Sequence, residues 1–411
     1  MKRLQPHRWA VVAIAAVGLV FAAYLHAGST NNDWPQFRGQ KRDGVSRESG
    51  LLKSWPEGGP KEVWRVPLGE GYSGIVVVGK RLYTMYSADI DGKPTEVAGA
   101  FNAETGEELW NTPMGERYDN QFGNGPRSTP TVDGDTVFAL DSRGELVALS
   151  TKDGSARWRV SFTETFGSKV PHFGYSTSAL VDGKNLLVQT GAPEGKSYVA
   201  LDKKTGELRW SIGDEPAGYN STLVLDTKAG RRFVHVVRGK VRAVDGDGKE
   251  IWSHEWPRGE THAMPTLVSP NRIFLSGAEG VGGVLLEIDG DSVKEVWTTR
   301  FMRNHFSSSI VHGDHIYGFD NATLKSIAVA DAELGWAKRG LGKGSLILAD
   351  DQLIVLSDRG ELLLIDASAR AYQEKGRVQA LEDRCWTSPT LSDGRLYLRN
   401  HAEMVAYDLK G

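Results

Sequence analysis

The chain has 411 residues, of which 40% are apolar and 25% are charged, a composition typical of a globular protein. Lys and Arg (49) nearly balance Asp and Glu (52), and the body contains no basic run, so the composition does not favour a nucleic-acid partner. Cys385 is the one cysteine, which excludes an intrachain disulfide and a zinc site built on a cysteine cluster.

The first element in the chain is an N-terminal apolar run. Lys2, Arg3 and Arg8 precede an uncharged stretch over residues 10–25. This run is intermediate in length between a signal-peptide core and a membrane span of about 20 residues. Residues 1–28 are therefore expected to be a cleaved signal peptide or an uncleaved membrane anchor, with a buried soluble helix as a third interpretation. The first two both predict an exported body in the periplasm or cell envelope, anchored to the inner membrane if uncleaved.

A lead-in segment over residues 29–60 separates the apolar run from a repeat over residues 61–411. The repeat is marked by recurring tryptophans with spacings of 46, 48, 52, 42, 45 and 39 residues. Periods of this length are typical of propeller blades. The marker residues are Trp64, Trp110, Trp158, Trp210, Trp252, Trp297 and Trp336.

Each period contains four short apolar runs separated by turns with Gly or Asp, as in residues 130–160. This pattern predicts a four-stranded antiparallel sheet. Two further units follow the last marker. The seventh is degenerate, with Tyr372 near the aromatic position, and the eighth stops at Gly411 without its tryptophan strand. The segment "KEVWRVPL" at residues 61–68 supplies that strand, so the sequence predicts an all-β, eight-bladed propeller closed by its N-terminal strand.

The tryptophans are interpreted as structural. Five of the seven follow a tight turn that carries Thr-Gly or Asp-Gly. An aromatic residue on the outer strand can pack against the neighbouring blade. All seven markers are therefore predicted to dock one blade onto the next.

The repeat resembles a known family. Its pattern A-x-D-x-x-T-G-x-x-x-W is met in full by Ala200, Asp202, Thr205, Gly206 and Trp210. It is similar to the eight-bladed propellers of pyrroloquinoline quinone (PQQ) enzymes and their non-enzymatic relatives, among them the BamB-like propellers. The stretch "DWPQFRGQKRDGVS" in the lead-in also resembles the start of exported bacterial propellers of this type. The motif is specific for the fold and weak for function, because one fold hosts many activities.

The resemblance implies what an enzyme of this family would carry. Its dehydrogenases use a ring formed by two adjacent cysteines beside the quinone, and an Asp base beside a calcium ion held by Glu and Asn. Cys385 alone cannot form that ring, and no unambiguous equivalent of the base and calcium ligands is found. The sequence therefore predicts no cofactor, with PQQ and calcium as the less favoured alternative.

The loops before each innermost strand occupy equivalent repeat positions and should ring one mouth of the central channel. Binding residues concentrate on loops held by a rigid scaffold, so these loops are the candidate site for an anionic or polar ligand or a peptide. Ordinary polar loop chemistry is the alternative. The candidates are Tyr72, Arg127, His172, Tyr175, Tyr219, Asn220, His262, Arg303, His305, Lys343, Arg384 and Trp386.

Three histidines of this set, His172, His262 and His305, could ligate a metal, but nothing fixes the required geometry, so no metal site is predicted. Two functions remain. The favoured one is a monomeric, non-catalytic scaffold that binds a protein or peptide partner in the cell envelope. The alternative is a PQQ-dependent oxidoreductase, similar to alcohol dehydrogenases, with the quinone at the channel mouth. Burial of Trp386 and Tyr175 in blade packing would weaken the alternative.

Overall fold

The computed structural model describes residues 32–256, 261–278 and 280–411, and it confirms the all-β propeller. Eight sheets of four antiparallel strands are present, and the described part contains a single short helix, α1 (Phe162–Phe166). The predicted export segment, residues 1–28, lies outside the described residues. No helix within the described ranges has the length and apolar character needed to cross a membrane.

The strands follow one another from the channel outwards in each blade. Blades 1 and 2 comprise β2 (Val76–Val78), β3 (Arg81–Ile90), β4 (Lys93–Asn102), β5 (Glu108–Glu116), β6 (Thr131–Asp133), β7 (Thr136–Leu140), β8 (Glu145–Ser150) and β9 (Ala156–Ser161). Blades 3 and 4 comprise β10 (Leu180–Asp182), β11 (Asn185–Gln189), β12 (Tyr198–Asp202), β13 (Leu208–Ile212), β14 (Leu223–Thr227), β15 (Gly230–Val237), β16 (Lys240–Val244) and β17 (Glu250–Glu255). Blades 5 and 6 comprise β18 (Thr266–Ser269), β19 (Arg272–Gly277), β20 (Gly282–Asp289), β21 (Ser292–Thr299), β22 (Ile310–His312), β23 (His315–Asp320), β24 (Thr323–Ala328) and β25 (Leu334–Lys338). Blades 7 and 8 comprise β26 (Ser345–Ala349), β27 (Gln352–Leu356), β28 (Glu361–Asp366), β29 (Glu374–Gln379), β30 (Thr390–Ser392), β31 (Arg395–Arg399), β32 (Glu403–Asp408) and β1 (Lys61–Pro67).

The ring is closed by the first strand, as predicted. β1 pairs antiparallel with β32 and forms the fourth strand of blade 8. The junction with blade 1 is held by the fully buried Arg399, whose guanidinium donates to the carbonyl oxygens of Met85 (2.7 Å) and Gly69 (3.0 Å). Closure pairs the β32 edge that would otherwise be open to association.

The hydrophobic core lies between the faces of neighbouring blades. Tyr83 and Met85 of blade 1, for example, share one cluster with Val137 and Val147 of blade 2. Successive side chains of a strand point to opposite faces, and each blade has a neighbour on both sides. Both faces are therefore apolar along the middle strands.

The marker tryptophans lie on the outer strands and pack on the next blade. Trp158 donates its indole N–H to the carbonyl of Lys203 (3.1 Å) in the turn between β12 and β13. Gly206 in that turn has φ +78°, and a Cβ there would lie 2.9 Å from the Trp158 ring, so both backbone and space require glycine. Trp252, which is buried, packs in one cluster with Ile288 of blade 5. The same indole bond joins Trp64 to Ala103, Trp110 to Thr151, Trp210 to Gly246, Trp297 to Val329 and Trp336 to Ser368.

Blade 7 departs from the pattern. In the other blades a tryptophan of the fourth strand pairs with the third strand. In blade 7 this position is occupied by Gly376, which pairs with Leu364. Tyr372, expected near this position, precedes β29 and packs edge-on against Trp336 with ring centroids 5.6 Å apart. The space over Gly376 is filled from the lead-in by Trp55, whose backbone N–H donates to Lys375 (3.1 Å). A residue distant in sequence thus supplies the missing indole.

The lead-in also closes one end of the channel. Residues 33–48, the channel plug, cross from blade to blade below the mouth. Trp34 exchanges both backbone hydrogen bonds with Val77 of blade 1 (2.8 and 2.9 Å). On blade 7, Leu348 donates to Gly44 (2.9 Å) and accepts from Ser46 (2.8 Å).

Two buried arginines secure the plug from inside. Arg38 donates to the carbonyl oxygen of Ser309 in blade 6 (2.7 Å), and Arg42 donates to that of Ser178 in blade 3 (3.0 Å). Because these blades lie on different sides of the channel, the plug bridges the ring internally as well as covering it. Carbonyl groups just before the inner strands, which have no ladder partner there, are satisfied in this way.

Candidate ligand-binding mouth of the channel

The channel mouth leads into a blind cavity of about 450 Å³. Its floor is formed by Trp34, Phe37 and Arg38 of the plug, and its lower wall includes Leu346 and Ile347 of an inner strand. Since the plug blocks the other end, a ligand would enter from the loop side. The volume lies within the range of small-molecule sites.

Eight aromatic and imidazole rings form a continuous band around the mouth, here called the aromatic collar. Neighbouring ring centroids are 4.9–5.7 Å apart, at stacked, tilted or edge-on angles, which is the favourable range for aromatic contacts. The band is closed where the Tyr72 hydroxyl donates to the carbonyl oxygen of Phe122. In order, the collar comprises Tyr72, Trp386, Phe306, His305, His262, Tyr219, Phe173 and Phe122.

The repeat explains why the collar is continuous. The loop that enters the inner strand has an equivalent position in each blade, and it directs a side chain towards the channel axis. Seven blades provide collar rings in this way, and blade 7 provides Lys343. Loops of neighbouring blades bring most of these rings into contact across more than 40 residues of sequence, and Phe306 of blade 6 reaches Trp386 of blade 8 past the loop of blade 7.

The cavity is basic. Arg38, Arg127 and Lys343 line it, and no Asp or Glu of the described residues does. Arg127 donates to the carbonyl oxygens of Gly123 (2.7 Å) and Gly125 (2.6 Å), which satisfy its donors without neutralising its charge. Burial lowers the pKa of Arg38 to about 10, so this guanidinium is still protonated at neutral pH. The whole chain has a net charge of −3, so the positive charge of the cavity is opposite in sign to that of the protein as a whole.

Two carboxyl groups are buried behind the wall, between blades 1 and 2. Asp141 accepts three backbone hydrogen bonds on Oδ1 (2.8–2.9 Å), while its Oδ2 is buried without a partner. Burial first, and then the charge of Glu96, raises the pKa of Asp141 to about 7. Burial also raises the pKa of Glu96, which accepts from the backbone of Ser142 (2.9 Å). Neither residue reaches the cavity.

The structure brings seven of the predicted mouth residues to the cavity wall and two to its rim. At the rim, Arg384 stacks on Trp386 at 4.5 Å and donates to the Tyr72 hydroxyl (3.2 Å). His172 is exposed, with its ring 4.7 Å from that of Phe173. The seven wall residues are Tyr72, Arg127, Tyr219, His262, His305, Lys343 and Trp386.

Three predicted mouth residues are located elsewhere, which corrects their assignment. Tyr175 is fully buried in the core of blades 2 and 3, where its hydroxyl donates to Ser168 (2.9 Å). Asn220 is buried and its amide donates to the carbonyl of Ala263 (2.6 Å), linking two loops. Arg303 lies outside the cavity lining and pairs with Asp320 (2.6 Å).

The alternation of side-chain directions along an extended segment explains why Asn220 points away from the cavity. Its neighbour Tyr219 points into the cavity, so the next residue of the extended segment faces the adjoining loop. The burial of Tyr175 also removes one of the two flat walls that a quinone slot would have used, whereas Trp386 remains half-buried at the cavity.

Sequence reasoning missed two sets of lining residues. Phe173 and Phe306 lie in loops that had been identified as mouth loops, and strict repeat alignment of these loops would have found them. The plug residues Trp34, Phe37 and Arg38 lie outside the repeat, so no periodic signal marks them.

The histidines do not form a metal site with other ligands. His262 and His305 are in edge-on ring contact at 5.4 Å, and His172 is at the rim. Across the described ranges, no group of three or more His, Cys, Asp or Glu side chains could hold a metal ion. Cys385 is buried, and burial raises the pKa of its thiol to about 12, which makes it a poor nucleophile.

Fold and mouth together define an eight-bladed propeller with a plugged channel and a basic, aromatic entrance. A family model described as outer membrane protein assembly factor BamB matches residues 93–337. Because this match spans more than half of the chain, the protein belongs to that family of PQQ-type repeat propellers.

Individual relatives agree with this assignment. The outer membrane protein assembly factor BamB of Salmonella typhimurium is 25% identical over 361 residues, covering 83% of this chain and 86% of the relative. That of Shewanella oneidensis is 22% identical over 328 residues, covering 74% and 78%.

Solved structures support the fold. BamB from Moraxella catarrhalis superposes with a TM-score of 0.63 at 17% identity, covering 85% of this chain and 98% of that one. A quinohemoprotein alcohol dehydrogenase from Comamonas testosteroni gives 0.64 at 13% identity, covering 94% and 82%. At these identities the likeness establishes the architecture alone, since one propeller serves both kinds of protein.

Proposed function

We propose that this chain is an exported, non-catalytic binding protein of the cell envelope that holds a protein partner. Family membership over residues 93–337 carries the proposal, because the matching relatives are named as outer membrane assembly factors. Export is supported by the N-terminal charge and apolar pattern of residues 1–28.

The surface of the mouth is suited to binding. Phe122 of the collar is 47% exposed, and its backbone carbonyl accepts a hydrogen bond from the cationic Arg384 (2.5 Å). Apolar rings with an adjacent arginine are enriched at interaction sites. The blades provide a rigid frame, so these groups are held in place before a partner arrives.

A PQQ-dependent oxidoreductase is the second candidate, favoured by the position of a flat-walled cavity at the channel mouth. The residues present do not fit the quinone with its calcium ion. Calcium requires oxygen ligands that include carboxylates, and none of the described lining residues carries one. The chain has a single cysteine, so the disulfide ring beside the quinone cannot form.

Site-specific photo-cross-linking in envelopes of the native organism tests the proposal. A benzophenone side chain would replace Phe122 at the mouth or, as a matched control, Leu208, an equally exposed residue on the outer strand of blade 3. We expect one discrete adduct with an envelope protein from Phe122 and none from Leu208. No adduct from either position, or from any other mouth loop, would contradict the proposal.

The second candidate function, the PQQ-dependent oxidoreductase, is tested separately on purified protein supplied with PQQ and calcium. Dye-linked alcohol oxidation above the rate of the cofactor alone would overturn the non-catalytic proposal.

We also propose that the body is a monomer that binds no nucleic acid. Light scattering and a titration with DNA check these two expectations.

A further inference from the structure

The buried carboxyl groups of Glu96 and Asp141 lie at the base of two mouth loops, residues 117–127 and 171–175. We propose that this carboxyl pair is a pH-sensitive latch: with one proton bound it holds the two loops in place, and loss of that proton to solvent releases them. The latch does not depend on the partner-binding role proposed above. Neither carboxyl group lines the cavity.

Glu96 joins blades 1 and 2 through backbone hydrogen bonds. It lies on β4 with no exposed surface, and its two carboxyl oxygens accept from different segments. The N–H of Tyr118, at the start of the first loop, donates to Oε1 (3.1 Å), and the N–H of Ser142, in the turn between β7 and β8, donates to Oε2 (2.9 Å). One side chain of blade 1 therefore holds both a mouth loop and a turn of blade 2.

Ser142 extends the connection to both loops. Its hydroxyl donates to the carbonyl oxygen of Gly125 (3.2 Å) in the first loop, and its own carbonyl oxygen accepts from the N–H of Tyr175 (2.9 Å) in the second. The two loops are also joined directly, since the Tyr118 hydroxyl donates to the carbonyl oxygen of His172 (2.8 Å). Displacement of the turn at Ser142 would loosen these contacts together.

Asp141 makes the connection depend on a proton. It precedes Ser142 in the turn, and its Oδ1 accepts from three backbone N–H groups, whereas Oδ2 is buried without a partner. A Cβ at Gly115 would lie 2.7 Å from Oδ2, so the backbone of β5 packs against this oxygen from blade 1. A second negative charge here would have neither a donor nor solvent at Oδ2, and it would face the charge of Glu96.

The surrounding charges favour one negative charge on the pair and oppose two. Arg127 of the first loop favours the ionised form of Glu96, and the carboxylate of Glu145 on β8 opposes ionisation of Asp141. Arg143, in the same turn, pairs instead with an exposed carboxylate of β5 (3.3 Å). Burial and the charge of Glu96 together raise the pKa of Asp141 to about 7, so its proton is lost close to neutral pH.

The direction of the pH effect follows from this arrangement. In the closed site Asp141 keeps its proton up to about pH 7, whereas in an opened site exposed to water its pKa returns to the ordinary value of 3.8. The open form binds fewer protons, so opening becomes up to about tenfold more favourable for each pH unit between these two values. Above pH 7 the effect levels off.

Hydrogen–deuterium exchange of the exported protein at pH 5.5 and 8, corrected for the intrinsic exchange rate, tests the latch. We expect amide exchange in residues 117–127 and 171–175 to rise roughly ten- to thirtyfold at pH 8. The corresponding loop of the next blade, residues 217–222, is the internal control, because the neutral amide of Gln189 accepts from its Gly218 N–H (2.9 Å). Its corrected exchange should not change. Equal exchange of the first two loops at both pH values, or the same rise in the control loop, would overturn the proposal.

Variants assign the effect to the carboxyl pair. Asp141→Asn keeps the shape of the protonated acid and cannot ionise, so both loops should stay protected at pH 8. His172→Gln removes the one histidine of these loops and should leave the rise intact. Asp135→Asn, at an exposed turn of blade 2, is the matched control and should also leave it intact. A rise that persisted in Asp141→Asn, or that disappeared in His172→Gln, would show that this carboxyl pair is not the latch.

Discussion

At the scale of single residues, the buried carboxyl of Asp141 makes stability depend on pH. Its pKa of about 7 in the folded protein exceeds the ordinary value of 3.8. The folded state therefore binds a proton more tightly, and stability is lost as pH rises from about 4 through 7. We expect Asp141→Asn, which mimics the protonated acid, to raise the free energy of unfolding at pH 8 by roughly 1–3 kcal/mol, with little change at pH 4.5.

Denaturant melts at both pH values check this expectation. Asp135→Asn is the control, because the bond from Arg157 lowers the pKa of the exposed Asp135 to about 2, well below the tested range. Its effect should be the same at pH 4.5 and 8. If Asp141→Asn also acted equally at both pH values, the raised pKa would be excluded.

The docking tryptophans allow a second prediction at this scale. Trp210 packs over Gly248 and donates to the carbonyl of Gly246 (2.9 Å). Trp210→Ala should destabilise the fold by roughly 3–5 kcal/mol through lost packing. Trp210→Phe keeps an aromatic ring but loses the bond, so it should cost clearly less. Thermal and urea melts measure both, and an unchanged midpoint for Trp210→Ala would refute the structural role of the repeat.

At the scale of elements, the lead-in and blade 7 form an interlocking pair. A Cβ at Gly376 would lie 2.4 Å from the Cβ of Trp55, so Gly376→Ala should be destabilising in the native background. Trp55→Ala should itself cost roughly 2–4 kcal/mol, since it empties a buried site. In the double variant the contacts of the new Cβ with the indole carbons Cγ (2.4 Å) and Cδ1 (2.5 Å) are gone and only the contact with the Cβ of residue 55 remains, so Gly376→Ala should cost less there than in the native background.

A double-mutant cycle measured by urea unfolding gives the coupling free energy. We expect a coupling of about 1 kcal/mol or more, because the two residues are in direct contact. Gly58→Ala, where a Cβ would meet nothing within 4 Å, provides a nearby control substitution in the same lead-in. Gly58 has φ +84°, so its alanine variant reports backbone strain alone. Strictly additive effects of Trp55→Ala and Gly376→Ala would show that the indole does not fill this position.

At the scale of the whole molecule, closure and the plug determine cooperativity. A chain that begins at residue 69 lacks both β1 and the lead-in, which leaves β32 unpaired at an open edge. We expect this chain to unfold over a broad transition and to self-associate. A chain that begins at residue 32 retains both and should unfold in one sharp transition as a monomer. Calorimetry and light scattering distinguish the two, and equal behaviour would mean that closure by β1 is dispensable.

The eight blades could be predicted from sequence because each is a local unit. Turn residues, apolar runs and a tryptophan recur within 40–50 residues, and each unit can satisfy its hydrogen bonds only as a four-stranded sheet. The missing fourth strand of the last unit and the spare strand at Lys61–Pro67 then imply closure. The mouth was predicted for the same reason, since equivalent loops must lie on one face.

The parts that could not be predicted depend on contacts between distant segments. Tyr175 lies in a mouth loop and was expected at the mouth because of that position. The path of the loop in three dimensions directs its side chain into the core. Trp55 lies in the lead-in and not in the repeat, so no spacing pattern relates it to another residue. Only the fold reveals that Gly376 leaves a space that the Trp55 indole fills. The plug lies outside the repeat, so nothing in the sequence indicates that its two arginines donate hydrogen bonds to carbonyl groups of blades 6 and 3.

The sequence by itself therefore determined the architecture, the family and the face that carries the candidate site, because periodic local patterns encode them. Only the tertiary structure decided that the channel is blind, that eight rings close into a collar, and that the cavity holds positive charge without lining carboxylates among the described residues. These properties arise where eight loops and the plug come together in space. No local stretch of the chain determines such contacts, because the residues that make them are far apart in sequence.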